Sequence, residues 1–267
     1  MRLVESGRRV DLSYQTRQER TDAPAYYWTP ADQIDGERMR LFGQEARHAR
    51  TVCRVQVGEI ITITDGEGST YDCEIESATA REVTGRIVRA HRRVGEPVAQ
   101  LTLAAAVGKP ATFDWIVEKA VEIGAARIVP IRAAHSPSGI GGPEASRRRV
   151  ERWRRLAQSA MKQSLRSVWP PVEDIVTPAQ VVAAIKNYQY VWLADSGGAR
   201  LPAEPIPVSG TVQAMIIVGP DAGFTEAERQ LFLEAGAVGL SLGERRLRAE
   251  TAAVAALTLI LRHLGEL

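Results

Sequence analysis

The stretch MIIVGPDAGFTEAERQLFLEAGAVGLSLGERRLRAETAAVAALTLIL, Met215–Leu261, decides the fold. It reads as strand, glycine turn, helix, strand, second glycine turn, helix. Met215–Val218 is an apolar run ending at Gly219-Pro220, which suits a buried parallel strand. Thr225 and Glu228 have capping-box spacing. They open a helix with Leu231 and Phe232 predicted to face inward and Gly236 as its left-handed stop. Val238–Leu242 is the next predicted strand, Gly243 breaks it, and the basic turn Arg245-Arg246-Leu247-Arg248 leads into an apolar last helix. Ligands of open α/β sheets sit beyond the carboxyl ends of the strands, and glycine lets the backbone approach them closely. Two glycine turns at adjacent strand ends therefore predict a ligand rim, although each alone also reads as an ordinary turn.

The α/β pattern begins upstream, after Gly95-Glu96-Pro97. Gln100–Val107 predicts an alanine-rich strand. A helix capped by Thr112 follows, with Phe113, Ile116, Val117, Ala120 and Ile123 on one face and Gly124 as its stop. Arg127–Ile131 is a β-branched strand, and Ser136–Gly142 a loop of small residues. A long helix from Glu144 to about Leu165 repeats Val150, Trp153, Ala157, Ala160 and Ser164 on a buried stripe. At about 100° per residue, Arg148, Arg152, Arg155, Lys162 and Arg166 gather on the opposite side, with only Glu151 near them. That stripe fits a phosphate-binding surface and equally a solvated helix face. Pro178–Lys186 is a short helix, Tyr190–Ala194 a strand ending at Asp195-Ser196-Gly197-Gly198, and Leu201–Val208 a proline-rich loop. The last helix, Ala252–Leu264, is apolar around nearly its whole circumference, which predicts burial on all sides and subunit packing.

The amino-terminal half has a different texture. Residues 1–25 are polar and aperiodic and predict a loosely held extension. Glu45–Val55 reads as a short helix with Ala49, Val52 and Cys53 on its apolar side. Glu59–Thr64, the turn Asp65-Gly66-Glu67-Gly68 and Tyr71–Glu76 make a hairpin signature. Glu82–Ala90 adds a strand closed by the basic cluster His91-Arg92-Arg93. Several short strands in about 50 residues suggest a small barrel.

The chain is long enough for a sizeable core or two modest domains, and its 45% hydrophobic and 25% charged content is that of an ordinary globular protein. It has no apolar amino-terminal leader and no membrane-length run. Cys53 and Cys73 have no metal-ligand spacing, which argues against a metal site and suits a reducing cytoplasm. With a net charge of only +2, nucleic-acid binding must rest on local basic patches. P-loop, GxSxG, HExxH and Rossmann patterns are absent, so NTPase, hydrolase and dehydrogenase readings lack support.

Ile217-Val218-Gly219-Pro220-Asp221-Ala222-Gly223-Phe224, then Ser241-Leu242-Gly243, then Leu247-Arg248-Ala249-Glu250-Thr251-Ala252, resemble the signature of the SPOUT class of RNA methyltransferases, and within it the RsmE family. Gln163, Ser164, Arg166 and Pro170 match a further family motif, His48, Val52, Arg54 and Val55 another, and Val117–Ala125 a third. The chain departs from the pattern at Lys162, Leu165, Asp221 and Ala222, and Ala222 would be awkward if its position needs positive φ. The resemblance implies an α/β fold: a trefoil-knotted parallel-sheet methyltransferase domain over 98–267, preceded by a PUA-like RNA-binding β-barrel over 26–95. It implies S-adenosylmethionine as methyl donor, held by Leu193, Gly219, Pro220, Leu242, Gly243, Leu247 and Thr251. It further implies 16S ribosomal RNA in the small subunit as substrate, uridine N3 as acceptor, and a homodimer.

Uracil N3 carries a proton and is a poor nucleophile until that proton leaves. Arg166 and Arg248 are the candidate cations and Glu250 and Asp221 the candidate carboxylates, Glu250 being also the kind of residue that favours a helix amino terminus. Lys109, Arg148, Arg152, Arg155, Lys162 and Arg166 are the candidate RNA contacts. His48 could contact RNA or hold a structural hydrogen bond, and Trp169 could stack a flipped base or pack in a core. Three readings compete: a uridine-N3 methyltransferase, another SPOUT enzyme acting on a ribose 2′-OH or a different base nitrogen, and an RNA-binding protein without activity.

Overall fold

The computed structural model describes residues 26–137, 141–206 and 210–267. The 1–25 extension and parts of the two expected loops, at 138–140 and 207–209, lie outside the described residues. The chain divides into two compact units, one running to Val94 and including Leu165–Val168, the other holding the rest from Gly95. Leu165–Val168 thus pack with the first unit, although the sequence places them inside the second segment.

The first unit is a six-stranded sheet in the order β1-β4-β5-β6-β3-β2. Its strands are β1 (Tyr26–Trp28), β2 (Ile34–Asp35), β3 (Arg38–Phe42), β4 (Ile60–Thr64), β5 (Ser69–Ala78) and β6 (Glu82–Arg92). β4 and β5 form the expected hairpin, with Ile61 opposite Cys73 and Ile63 opposite Tyr71. Asp65 fastens its turn by accepting from the N–H groups of Glu67 and Ser69 at 2.7 and 3.0 Å. Tyr27, Met39, Leu41, Ile61, Ile63, Cys73 and Ile75 make the core.

Two expectations need correcting here. The helix α1 (Gly43–Arg47) runs into a π-helical turn, His48–Val52. The wider turn changes the phase, so Ala46 and Ala49 are buried while Val52 and Cys53 face solvent. The basic cluster expected beyond Ala90 lies largely within the strand. Strand β6 continues to Arg92, and buried His91 has Nε2 3.2 Å from Asp72 Oδ2, whose other oxygen accepts from Thr62. Exposed His48 sits 3.4 Å from Cys53 Sγ.

The second unit is a five-stranded parallel sheet, β11-β9-β10-β7-β8. The strands are β7 (Gln100–Ala106), β8 (Arg127–Ile131), β9 (Tyr190–Ala199), β10 (Gln213–Val218) and β11 (Val238–Leu240). The helices are α2 (Pro110–Ile123), α3 (Pro143–Gln163), α4 (Pro178–Ile185), α5 (Glu226–Glu234) and α6 (Ala249–His263). Met215 and Ile217 of β10 join a core with α4 and α5, through Val181, Ile185 and Phe232. Residues alternate across a strand, and α6 packs on the opposite side against β7, β10 and α2.

Helix ends follow the local chemistry with exceptions. Thr225 and Glu228 form the predicted capping box, and Gly124 and Gly236 stop their helices at φ 113° and 102°. Helix α2 starts at Pro110 with Lys109 as N-cap, not at Thr112, because proline is preorganised for the first helical position. Helix α3 stops at Gln163, so Arg166 is not on its stripe. Leu231 is 36% exposed where Phe232 is buried. Helix α6 does have a polar side: Thr251, Thr258 and Arg262 are exposed beside Leu259, while Leu257, Ile260 and Leu261 are buried. No helix among the described residues is long and apolar enough to cross a membrane.

Candidate active site

The carboxyl ends of β9, β10 and β11 converge on a cavity of about 570 Å³. Strand β9 at Ala194–Ser196 and the turns Val218–Phe224 and Leu242–Leu247 line it, closed by Ala249 and Ala252 of α6. Gly243 stands at φ 107° and Gly223 at φ 78°, backbone that side chains rarely adopt. At Gly219 a Cβ would come within 3.2–3.4 Å of Phe224. The turns therefore present main chain to the cavity. Its volume falls in the range of small-molecule sites.

Of the predicted donor-site residues, Gly219, Pro220, Leu242, Gly243 and Leu247 line this cavity. Leu193 and Thr251 are not among the lining residues. Leu193 points into the core on β9, and Thr251 lies on the exposed side of α6. Alternation along the strand and rotation along the helix turn each away from its lining neighbours.

The awkwardness expected at Ala222 does not arise. Ala222 keeps an ordinary backbone, and the left-handed residue is Gly223 beside it. At the other departure the reverse holds: Leu165 adopts φ 58°, the conformation for which glycine is suited.

Asp195 lies on the cavity wall, at the strand end that the family resemblance sets beside the cofactor, though its side chain was not a named candidate. Arg229 of α5 donates to it at 2.9 Å, and this hydrogen bond, with the charge of Asp195, raises the arginine pKa. The signal for Asp195 was that position at a strand end before two glycines. Nor did the sequence reveal how the turn after β8 joins the rim. Ala134 N–H donates to Glu228 at 2.7 Å, and His135 Nδ1–H donates to the Gly223 carbonyl at 2.9 Å.

A second pocket, about 390 Å³, is lined by Lys109, Thr112, Asp221, Arg246, Leu247, Arg248 and Glu250. Asp221, Arg246 and Leu247 belong to both cavities, so the two share a wall. The candidate catalytic residues Arg248 and Glu250 meet here with the candidate RNA contact Lys109. The third catalytic candidate, Arg166, is elsewhere: it is 2% exposed in the first unit, where its carbonyl accepts from Tyr26 and its neighbour Ser167 from Thr64.

The arginine stripe is more neutralised than its sequence suggests. Arg152 Nη2 and Nε lie 2.5 and 3.1 Å from Asp114 Oδ2, a bond that raises the arginine pKa, and Trp153 Nε1 donates to the same carboxylate. Arg148 is 3.5 Å from Glu144. Asp114 escaped notice because it lies on another helix. Trp169 Nε1 donates to the Arg154 carbonyl at 3.2 Å, which ties the ring to α3.

Residues 95–261 match the RNA methyltransferase domain family, and residues 42–88 the RNA methyltransferase PUA domain family. Ribosomal RNA small subunit methyltransferase E of Mycobacterium bovis is 31% identical over 80% of this chain and 82% of its own. Its Bacillus subtilis counterpart is 29% identical over 82% and 88%. A crystal structure of ribosomal RNA small subunit methyltransferase E from Neisseria gonorrhoeae bound to S-adenosyl methionine superposes with a TM-score of 0.80 at 26% identity, covering 90% of this chain and 98% of that one.

Proposed function

From a chain that belongs to the ribosomal RNA small subunit methyltransferase E family of RNA methyltransferases, we infer an enzyme that moves a methyl group from S-adenosylmethionine to uridine N3 of small-subunit ribosomal RNA. The observation that carries this reading is the shared wall between the glycine-turn cavity and the pocket holding Arg248, Glu250 and Lys109. A donor in the first can face a base in the second. The main chain around Gly219, Leu242 and Gly243 would hold S-adenosylmethionine, which supplies the methyl group as an electrophile. Arg248 lowers the cost of the uracil anion, and Glu250 is the carboxylate beside it that can take the N3 proton. Arg166, buried in the first unit, is assigned to holding its loop. The target base reaches the pocket from a single-stranded segment or by flipping.

The test is methyl transfer from labelled donor to small subunits of a deletion strain, followed by nucleoside analysis. The expected product is 3-methyluridine. Arg248→Ala should lower turnover by about a hundredfold, the scale of losing one electrostatic stabiliser, with donor affinity little changed. A 2′-O-methyl product, or none with RNA still bound, would sink the reading.

The first unit is proposed to act as a PUA-like barrel for RNA over 26–95, and residues 98–267 as the methyltransferase domain. The trefoil-knotted form of that domain is proposed from the match of residues 95–261 to the RNA methyltransferase domain family. A crystallographic trace of the chain would test both. With ribosomal RNA as substrate, the enzyme is proposed to work in the cytoplasm, which fractionation would check.

On α3, Arg155 is exposed and Arg152 is held by Asp114. Arg155→Ala should flatten the log–log salt dependence of RNA affinity by about 0.7–0.9, one phosphate contact, and Arg152→Ala by less. An unmoved slope for Arg155→Ala would reduce this face to a solvated one.

A homodimer through α6 is supported by Leu259, 42% exposed on that helix. Leu259→Glu should give a folded monomer in light scattering, whereas Leu261→Glu, in the core, should unfold the unit. A monomeric wild type at micromolar concentration would contradict the dimer.

A further inference from the structure

The turn carrying Asp221 and the start of α6 are far apart in sequence, yet they are bonded at the wall between the two pockets. Helix α6 has Arg248 at its N-cap position, and that side chain caps nothing. Arginine has no acceptor to offer the orphan N–H groups of a first turn. Asp221 supplies the acceptor from outside the helix: its Oδ1 accepts from the Ala249 N–H at 3.2 Å. The main chain of the same residue takes a second bond, its carbonyl accepting from Arg246 Nη2 at 3.0 Å. Asp221 thus grips the basic turn on both sides of Leu247. Arg248 and Glu250 flank Ala249, so the bond to Ala249 sets where both stand.

We propose that Asp221 is a positioning residue for methyl transfer: as a cap supplied from the glycine turn, it registers Arg248 and Glu250 against the donor cavity. The proposal rests on the methyltransferase reading above. It assigns the acceptor atom of Asp221, not its charge, as the operative feature. A carboxylate also suits a helix amino terminus through the macrodipole, so the experiment separates the two contributions. Asparagine keeps an acceptor and loses the charge; alanine loses both. The bond can also be removed from the donor side. Proline has no N–H and is favoured at the first helical position. Arg248, at φ −70° and ψ 158°, already has the extended backbone required before proline. Ala249→Pro therefore deletes the same bond while sparing Asp221.

The experiment measures kcat, KM for small subunits, and donor affinity by calorimetry, with exchange of the Ala249 amide as a direct report on the bond. Asp221→Ala and Ala249→Pro are each expected to lower kcat about tenfold; because both residues line the donor cavity, donor affinity falls as well, but by less, about threefold at most. Asp221→Asn should recover kcat to within threefold. The Ala249 amide should exchange faster in Asp221→Ala and stay protected in Asp221→Asn. Wild-type kcat in Asp221→Ala overturns the proposal, as does an Asp221→Asn enzyme as slow as Asp221→Ala. A loss of donor affinity matching the loss of kcat also overturns it, since Asp221 would then serve the donor cavity. Should Asp221→Ala not fold, Ala249→Pro decides by the same readings. A wild-type protein that transfers no methyl group sinks the underlying reading and the proposal with it. An active wild type beside an unimpaired Asp221→Ala sinks the proposal alone.

Discussion

Gly243→Val is expected to weaken S-adenosylmethionine binding by about a hundredfold while leaving the protein folded. Gly243 stands at φ 107° on the cavity wall. A β-branched residue there is a genuine outlier, and holding it costs about 1–3 kcal/mol. In the free protein the turn relaxes into another conformation and avoids most of that cost. Binding has to restore the original turn, and about 3 kcal/mol corresponds to roughly a hundredfold in affinity. Space is not the obstacle, because a Cβ at Gly243 would meet only the end of Arg245, at 3.9 Å. Gly243→Ala should therefore show a smaller loss, about tenfold, from backbone strain alone. Calorimetry with both variants checks the order. Equal and unchanged affinities would remove this turn from the donor site.

Gly198→Ala should produce the largest loss of stability, about 3 kcal/mol or more, the upper range for forcing an atom into a packed site. An added Cβ would lie 2.3–2.6 Å from the main chain of Gly239 and Leu240, where β9 and β11 run together. A flexible side chain could swing away from such a contact; a paired strand cannot. The strands must separate, and Asp195 and Ser196 on the same strand then move from the cavity wall. Denaturant titration should show the lowered midpoint, and donor affinity should fall with it. Gly108→Ala is the control, since nothing lies within 4 Å of its Cβ position. A Gly198→Ala midpoint equal to that of the control would mean that the strand crossing is looser than this geometry requires.

Much of the second unit was legible because its signals are local. Apolar runs ended by Gly108 and Gly219 marked β7 and β10, Thr225 and Glu228 capped α5, and Gly219 and Gly243 marked the rim. Such features depend on backbone preference and on bonds three or four residues away, which a sequence carries in order. Side-chain direction at element ends was less legible. Leu193 belongs to a predicted strand and Thr251 to a motif-bearing segment, but strand alternation and helix rotation point them away from the cavity. The π-helical turn at His48–Val52 shifted the apolar side of its segment for the same kind of reason: periodicity assumes a regular helix.

What only the tertiary structure decided are the pairings between residues remote in the chain. Asp114 neutralises Arg152 from α2, Arg229 holds Asp195 from α5, Glu228 reaches Ala134, and Asp221 caps α6 across 28 positions. Each is a hydrogen bond whose partners meet only after helices pack on the sheet, so no spacing rule announces it. The sequence determined which segments become strands, helices and turns, and which turns present backbone to the cavity. Packing decided which charges remain available for chemistry, because a side chain's partner depends on distance in space, and hydrogen bonds act only over about 3 Å.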